Sequence, residues 1–156
     1  MNISFAIQGP HLGTSAACTP VLRALPAWFG IEEALVRYST DIDDLPTFVA
    51  TDPEKQVIGF LTLKQHGLYS AEVYVMGIRP EVHHRGIGRA LVSEAQAWLR
   101  KQAVEYLQVK TLGPSNEDPN YTLTRAFYQA MGFRPLEELM QLWDENNPCL
   151  ILVKRL

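Results

Sequence analysis

Hydrophobic positions along the chain recur with two periods, two residues and about 3.6, and the switches between them predict short strands and helices in succession. Ile3, Phe5 and Ile7 alternate with polar or small residues, which predicts an edge strand ended by Gly9-Pro10. Thr19 before Pro20 reads as a cap ahead of a proline at the first helical position. Val21, Leu22 and Leu25 then follow at helical spacing until Pro26 stops the helix. After the turn Trp28-Phe29-Gly30, a second helix is expected from Ile31, Ala34, Leu35 and Tyr38, with Glu32 and Glu33 complementing the dipole at its start. Residues 47–51 and 57–63 read as a hairpin about the turn Asp52-Pro53-Glu54, with His66-Gly67 closing the second strand.

The second half continues the pattern. Residues 72–78 are a Val- and Tyr-rich strand, and Gly77 inside it marks a bulge or a close backbone approach. From Ile87, the positions Leu91, Ala95, Trp98 and Leu99 form a helical stripe ending near Lys101. Residues 106–111 are a strand, 113–120 a loop with two prolines, and 123–131 a helix closed by Gly132. Residues 133–139 and 150–153 supply the last strands. Strands in runs with helices between them describe an α/β or α+β domain around a mixed sheet.

Composition narrows the function classes. At 156 residues and 47% hydrophobic content the chain has material for one core, a single domain over residues 1–156. The net charge is −3 and the 14 lysines and arginines are dispersed, which argues against the basic face of a nucleic-acid binder. Cys18 and Cys149 stand alone, with no CxxC and no histidine at metal-ligand spacing, so neither a disulfide framework nor structural zinc is expected. His83 and His84 are adjacent and their side chains diverge, so no metal is assigned. No apolar run approaches the roughly 20 residues of a membrane span, and Met1 to Pro10 lacks a leader's basic and apolar regions. A cytoplasmic protein with no membrane partner is expected.

Candidate chemistry concentrates between Ala71 and Leu91, where a strand, a turn and a glycine-containing helix start follow one another. The first-turn N–H groups of a helix lack intrahelical partners and, with the helix dipole, form an anion site that a phosphate can approach when glycines are present. Glycines there also simply make turns, and the spacing separates the possibilities. A dinucleotide fingerprint needs glycine where Leu91 stands and an acid about 20 residues on, near Gln108 and Lys110. A Walker A loop needs a Gly-Lys-Ser/Thr that is missing. Both readings fail.

The segment resembles the acetyl-CoA site of the GNAT acetyltransferase superfamily, whose pattern is Gln or Arg, two residues, Gly, one residue, then Gly or Ala at a helix start after a bulged strand. Gly86, Ile87 and Gly88 match its core, while His83 stands in the Gln or Arg place and His84 where many members carry glycine. Thr124-Arg125-Ala126-Phe127-Tyr128-Gln129-Ala130-Met131-Gly132-Phe133 is similar to the family's later motif, an aromatic pair on a helix before a Gly-Phe strand entry. The likeness covers residues 48–156 well and the first 47 loosely.

The resemblance implies a GNAT-like fold, a mixed and mostly antiparallel sheet of about seven strands flanked by about four helices. It also implies acetyl-CoA as co-substrate and an amine-bearing acceptor, small molecule or protein, as partner. Under it the main chain from Arg85 through Gly86, Ile87, Gly88, Arg89 and Ala90 takes the pyrophosphate, with Arg85, Arg89 and Arg125 adding charge near the phosphates. An amide at a bulge near Met76 takes the oxyanion, and those of Gly77 and Ile78 pair with the pantetheine arm. An alkyl ammonium, with a pKa of about 10.4, needs a base. Glu72 matches a catalytic glutamate of several members, although a strand glutamate also pairs with Arg or Lys. Tyr128 matches the family's general-acid tyrosine, although a tyrosine there also packs a core. Trp28, Phe29 and Tyr38 would form an aromatic wall for the acceptor, or apolar packing. A catalytically silent acyl-CoA-binding sensor or partner module would keep the glycines and need neither Glu72 nor Tyr128.

Overall fold

A computed structural model describes residues 3–156. In chain order its elements are β1 (Ala6–His11), α1 (Ser15–Arg23), α2 (Glu32–Ile42), β2 (Thr47–Thr51), β3 (Val57–Gln65) and β4 (Ser70–Ile78), a short 3-10 turn (Pro80–Val82), then α3 (Ile87–Lys101), β5 (Tyr106–Leu112), α4 (Pro119–Ala130), β6 (Arg134–Asp144) and β7 (Asn147–Arg155). The strands form one sheet in the order β1-β2-β3-β4-β5-β7-β6. Every neighbouring pair is antiparallel except β4 and β5, which α3 joins as a parallel crossover. This is the mixed sheet that the residue pattern predicts and the mostly antiparallel form, with four helices, that the resemblance implies.

Alternation along the strands gives the sheet two apolar faces, and each carries its own core. On one, Ile87, Leu91, Val92, Ala95 and Leu99 of α3 and Tyr128 of α4 pack on Leu61, Leu63, Ala71, Val73, Leu107 and Val109. Burying each leucine stabilises by about 1.5–3 kcal/mol, so the stripe read from the sequence is what seats α3. On the other face Cys18, Val21, Leu22 and Leu25 of α1 and Leu35 and Ile42 of α2 pack on Val49, Phe60 and Val75.

Several boundaries differ from the sequence reading. β1 runs through Gly9-Pro10 to His11 instead of ending there, and it is indeed at the sheet edge, where a proline's missing N–H is tolerated. Gly9 has φ +131°, and a Cβ on it would stand 2.7 Å from the Thr47 carbonyl oxygen, so the residue serves close strand approach. α1 starts at Ser15, with Pro20 inside it. Only the Ala16 carbonyl loses its donor to Pro20, and both residues are exposed, so the helix continues past the proline. α4 starts four residues earlier than expected, at Pro119, because Asp118 caps it by accepting from the Asn120 N–H at 2.9 Å. Its end is as expected, with Gly132 at φ +96° just past the helix. β6 and β7 extend beyond their predicted spans into a hairpin closed by Asp144 opposite Asn147.

Candidate active site

The site begins where β4 and β5 part. Their parallel ladder runs from Ser70 opposite Tyr106 only to Val73 opposite Val109, after which β5 continues beside β7 and β4 beside β3 alone. At the same level β4 takes one extra residue: Leu63 faces Val73 and Thr62 faces Val75, leaving Tyr74 bulged. The bulge shifts side-chain phase, so Glu72 and Val75 both lie on the α1/α2 face. It lies at Tyr74, not at Gly77 or Met76, and this corrects the expected position. A Cβ on Gly77 would stand 3.3 Å from each of Val21, Leu25 and Phe60, so that glycine is set by α1 crossing the strand. Met76 and Ile78 point the other way, against the α3/α4 core.

The chain then turns into α3 through residues that free the helix start. His84 has φ +60° and Gly86 φ +83°, both left-handed. Gly86 is the N-cap, no side chain caps the helix, and no acidic residue occupies its first turn. Nothing lies within 4 Å of a Cβ built on Gly86, so the space beside the helix cap is open. Gly88 plays a different part: a Cβ there would meet Ile78 and the Phe127 ring, both at 3.1 Å. The two sequence motifs therefore touch, with Phe127 of α4 on the first turn of α3. Tyr128 is 5% exposed, its ring edge-on to Phe127 and Phe133 at 5.1 and 5.5 Å, and burial holds its hydroxyl well above the ordinary phenol range. Among the described residues no hydrogen bond to that hydroxyl is found.

His83, in the Gln or Arg place of the motif, donates from Nε2 to the Ile78 carbonyl at 2.7 Å and meets Trp28 edge-on at 6.0 Å. Trp28 in turn donates from Nε1 to Thr124 at 3.1 Å, and its carbonyl accepts from the Tyr121 hydroxyl at 2.9 Å. It bolts the α1–α2 turn to α4. Phe29, Tyr38 and Tyr74 form a chain of edge-on rings with centroids 5.9 and 5.3 Å apart, and the Tyr74 hydroxyl donates to Asp41. Arg85 and Arg89 are exposed. Arg125 donates to the Leu112 carbonyl at 2.6 Å, so it secures the end of β5, a use the sequence did not suggest.

Glu72 is buried, 5% exposed, on the α1/α2 face beside the parting strands. Its Oε1 accepts from His66 Nε2 at 2.6 Å and from Lys110 Nζ at 3.2 Å. Both partners escaped the sequence reading. Strand parity offered Lys110, since Glu72 is level with Gln108 and Lys110 shares its face two residues on. His66 reaches Glu72 only through the hairpin. The charge of Glu72 is felt across the site: burial first, then Glu72, pushes the Tyr38 hydroxyl up. Burial pushes the Cys149 thiol up to about 11, with Lys110 opposing and Glu72 adding. Tyr121 is pushed up to about 12 by burial and then by Tyr38.

Cys18 is likewise pushed from 9.0 to about 11 by burial. Both thiols keep their protons in the folded state where the unfolded chain loses them. The stability they contribute is full below pH 9 and is lost as pH rises through about 11. The urea midpoint should therefore fall between pH 8 and 10.5, and the fall should shrink in Cys18→Ala/Cys149→Ala. An equal fall in the double variant would assign it to the tyrosines alone.

The acetyltransferase (GNAT) domain family matches residues 43–135, a span holding the parting strands and both motifs. The chain belongs to this family. An uncharacterized N-acetyltransferase of Chlorobaculum tepidum is 27% identical over 111 residues, 69% of this chain and 64% of that protein. The chain spans less than two thirds of the length of the curated relatives it matches. Among solved structures, a GNAT-family acetyltransferase from Desulfovibrio desulfuricans superposes with a TM-score of 0.84 at 18% identity, over 97% of this chain and 99% of that one. A GNAT acetyltransferase from Elizabethkingia anophelis with acetyl-CoA bound gives 0.74 at 16% identity, over 97% and 98%. These likenesses establish the GNAT fold over nearly the whole chain, including the first two helices.

GNAT domains use acetyl-CoA as co-substrate, and the residues here fit it. The edge of β4 beyond Val73 has no strand partner on the β5 side, the start of α3 is uncapped, and the buried hydroxyl of Thr111 on β5 has no partner among the described residues. Among those residues no helix is long and apolar enough to cross a membrane.

Proposed function

We propose that this GNAT domain catalyses transfer of the acetyl group of acetyl-CoA to a primary amine of an acceptor, small molecule or protein, by direct attack on the thioester. The observation that carries this reading is a buried carboxylate, Glu72, where β4 and β5 part, on the strand that leads into the uncapped start of α3. The first-turn amides from Arg85 to Ala90, around Gly86 and Gly88, would hold the pyrophosphate, and the free edge of β4 over Met76, Gly77 and Ile78 would hold the pantetheine arm. Bound there, acetyl-CoA supplies an activated acyl group whose leaving thiolate needs a proton.

Glu72 is the general base that neutralises the acceptor ammonium. Tyr128 is the general acid: burial keeps its hydroxyl protonated at every physiological pH, and it has no competing protein acceptor among the described residues. Phe29 and Tyr38, with Trp28 fastening their turn to α4, form the acceptor wall on the α1/α2 face. The second reading, a silent acyl-CoA-binding module, is favoured by one observation, that Glu72 is already paired with Lys110.

A panel of amines with acetyl-CoA, read out as free thiol release, separates the two readings, because a silent module releases none. Acetyl-CoA binds the folded state and should raise the melting temperature, by a few degrees or more at saturation. Gly86→Val should abolish most of that rise, since it fills the open side of the helix start and strains a left-handed position. An undiminished rise in a folded Gly86→Val protein would exclude this phosphate site.

A further inference from the structure

The main chain tells which groups of β4 face the gap that β5 leaves. Ile78 stands opposite Gly59, and the Arg79 N–H bonds to the Ile58 carbonyl at 2.9 Å. Bonded and non-bonded pairs alternate along an antiparallel ladder. Arg79 and Ile58 are therefore a bonded pair, Ile78 and Gly59 are not, and the N–H and C=O of Ile78 point away from β3. By the same alternation those of Met76, opposite Leu61, point the same way. β4 has no partner on that side beyond Val73 among the described residues, so these groups make up the free edge. The last of them is already taken: the Ile78 carbonyl accepts from His83 Nε2 at 2.7 Å.

His83 lies in the turn between β4 and the Gly86 cap of α3. Its bond to Ile78 ties that turn back onto the end of β4, and so fixes the start of α3 relative to the free edge. A ligand with its phosphates at the helix start and its arm along the edge spans both anchors. It binds more tightly when they are held in place beforehand, because less ordering remains to be done on binding. The same half-buried ring meets Trp28 edge-on at 6.0 Å. Thr124 and Tyr121 hold Trp28 by its indole N–H and its carbonyl, and the His83 ring supports the indole from the cofactor side. Phe29 of the acceptor wall is the next residue along that turn.

We propose that His83 is a positioning residue shared by the two halves of the site: its Nε2–H sets the cofactor anchors through the Ile78 carbonyl, and its ring seats Trp28 and with it the acceptor wall. Neither task needs the ring to titrate, since Nε2–H donates to a carbonyl whether the imidazole is neutral or charged. The inference rests on acetyl-CoA and the acceptor lying where the reading above puts them.

The test divides the side chain into its two parts. His83→Phe keeps a ring against Trp28 and loses the donor, whereas His83→Gln keeps an N–H donor of similar reach and loses the ring. Acetyl-CoA affinity is measured by calorimetry with no acceptor present. It should weaken about threefold to tenfold in His83→Phe, the usual effect of one lost hydrogen bond, and stay within about twofold of the wild type in His83→Gln. The acceptor KM, with the amine found in the screen, should do the reverse, rising about threefold to tenfold in His83→Gln and holding in His83→Phe. His83→Gln should add little to the KM of Trp28→Ala, because the ring acts through the indole. Wild-type acetyl-CoA affinity in His83→Phe, or a wild-type acceptor KM in His83→Gln, overturns the shared role. Both constants moving together in both variants also overturns it, since that is the mark of a residue that merely keeps the turn folded. A wild type that binds no acetyl-CoA overturns the cofactor site, and one that binds it but releases no thiol with any amine overturns acetyl transfer. The shared role of His83 falls with either.

Discussion

Glu72→Gln should bind acetyl-CoA like the wild type and lose about 100-fold or more in kcat at pH 7. The loss of a positioned base typically costs 10²–10⁴ in rate. The glutamine keeps the volume and an oxygen acceptor for Lys110, so the hairpin and the strand parting should persist and the protein should remain folded. Activity should recover as the pH rises, because a growing share of the amine is already neutral and needs no base. The sign is diagnostic: a variant damaged in its structure would gain nothing from alkali. Parallel kcat profiles from pH 6.5 to 9.5, with chemistry shown to limit turnover, decide it. Equal rates at pH 7 would rule out Glu72 as the base and favour the reading in which its pairing with Lys110 is purely structural.

Tyr128→Phe separates catalysis from packing more sharply than sequence reasoning alone allows. The ring sits between Phe127 and Phe133 in the core, and phenylalanine preserves those contacts. The hydroxyl has no hydrogen-bond partner among the described residues, so its removal breaks no bond within the protein. The melting temperature should stay level, since the packed ring is kept and no hydrogen bond to protein is lost. The rate should not stay level: it should fall about 100-fold because the thiolate leaves without its donor. A loss of activity at unchanged stability is the expected mark of a hydroxyl that serves the reaction and not the packing. A threefold or smaller fall in kcat, with the ring in place and acetyl-CoA bound normally, would pass the proton donation to solvent or to another group.

Much of the fold was legible because it rests on local rules. The α3 stripe from Ile87 to Lys101 reads correctly at both ends, since four-residue spacing and a glycine cap are local properties. The strand at 47–51 was likewise bounded by its own turn. The errors fall where local rules meet tertiary compensation. Pro20 reads as a helix start, yet α1 runs through it because only one exposed carbonyl goes unpaired. Gly9-Pro10 reads as a strand end, yet the sheet edge tolerates it.

The candidate site divides along the same line. The sequence by itself determined the family, through Gly86-Ile87-Gly88 and the later aromatic motif, and it singled out Glu72 and Tyr128. These are properties of residue type and spacing along one segment. What the glycines and the glutamate meet was decided only by the tertiary structure. Gly77 answers to α1 and Gly88 to Phe127, contacts between elements far apart in sequence. The bulge falls at Tyr74 because the register of β4 is set against β3, and the strands part after Val73 because β5 turns to its other neighbour, β7. The two partners of Glu72 come from a hairpin loop and from a strand that reaches it across a crossover. Side-chain period names the face a residue occupies, but only inter-strand register and the packing of distant helices bring particular groups within hydrogen-bond reach.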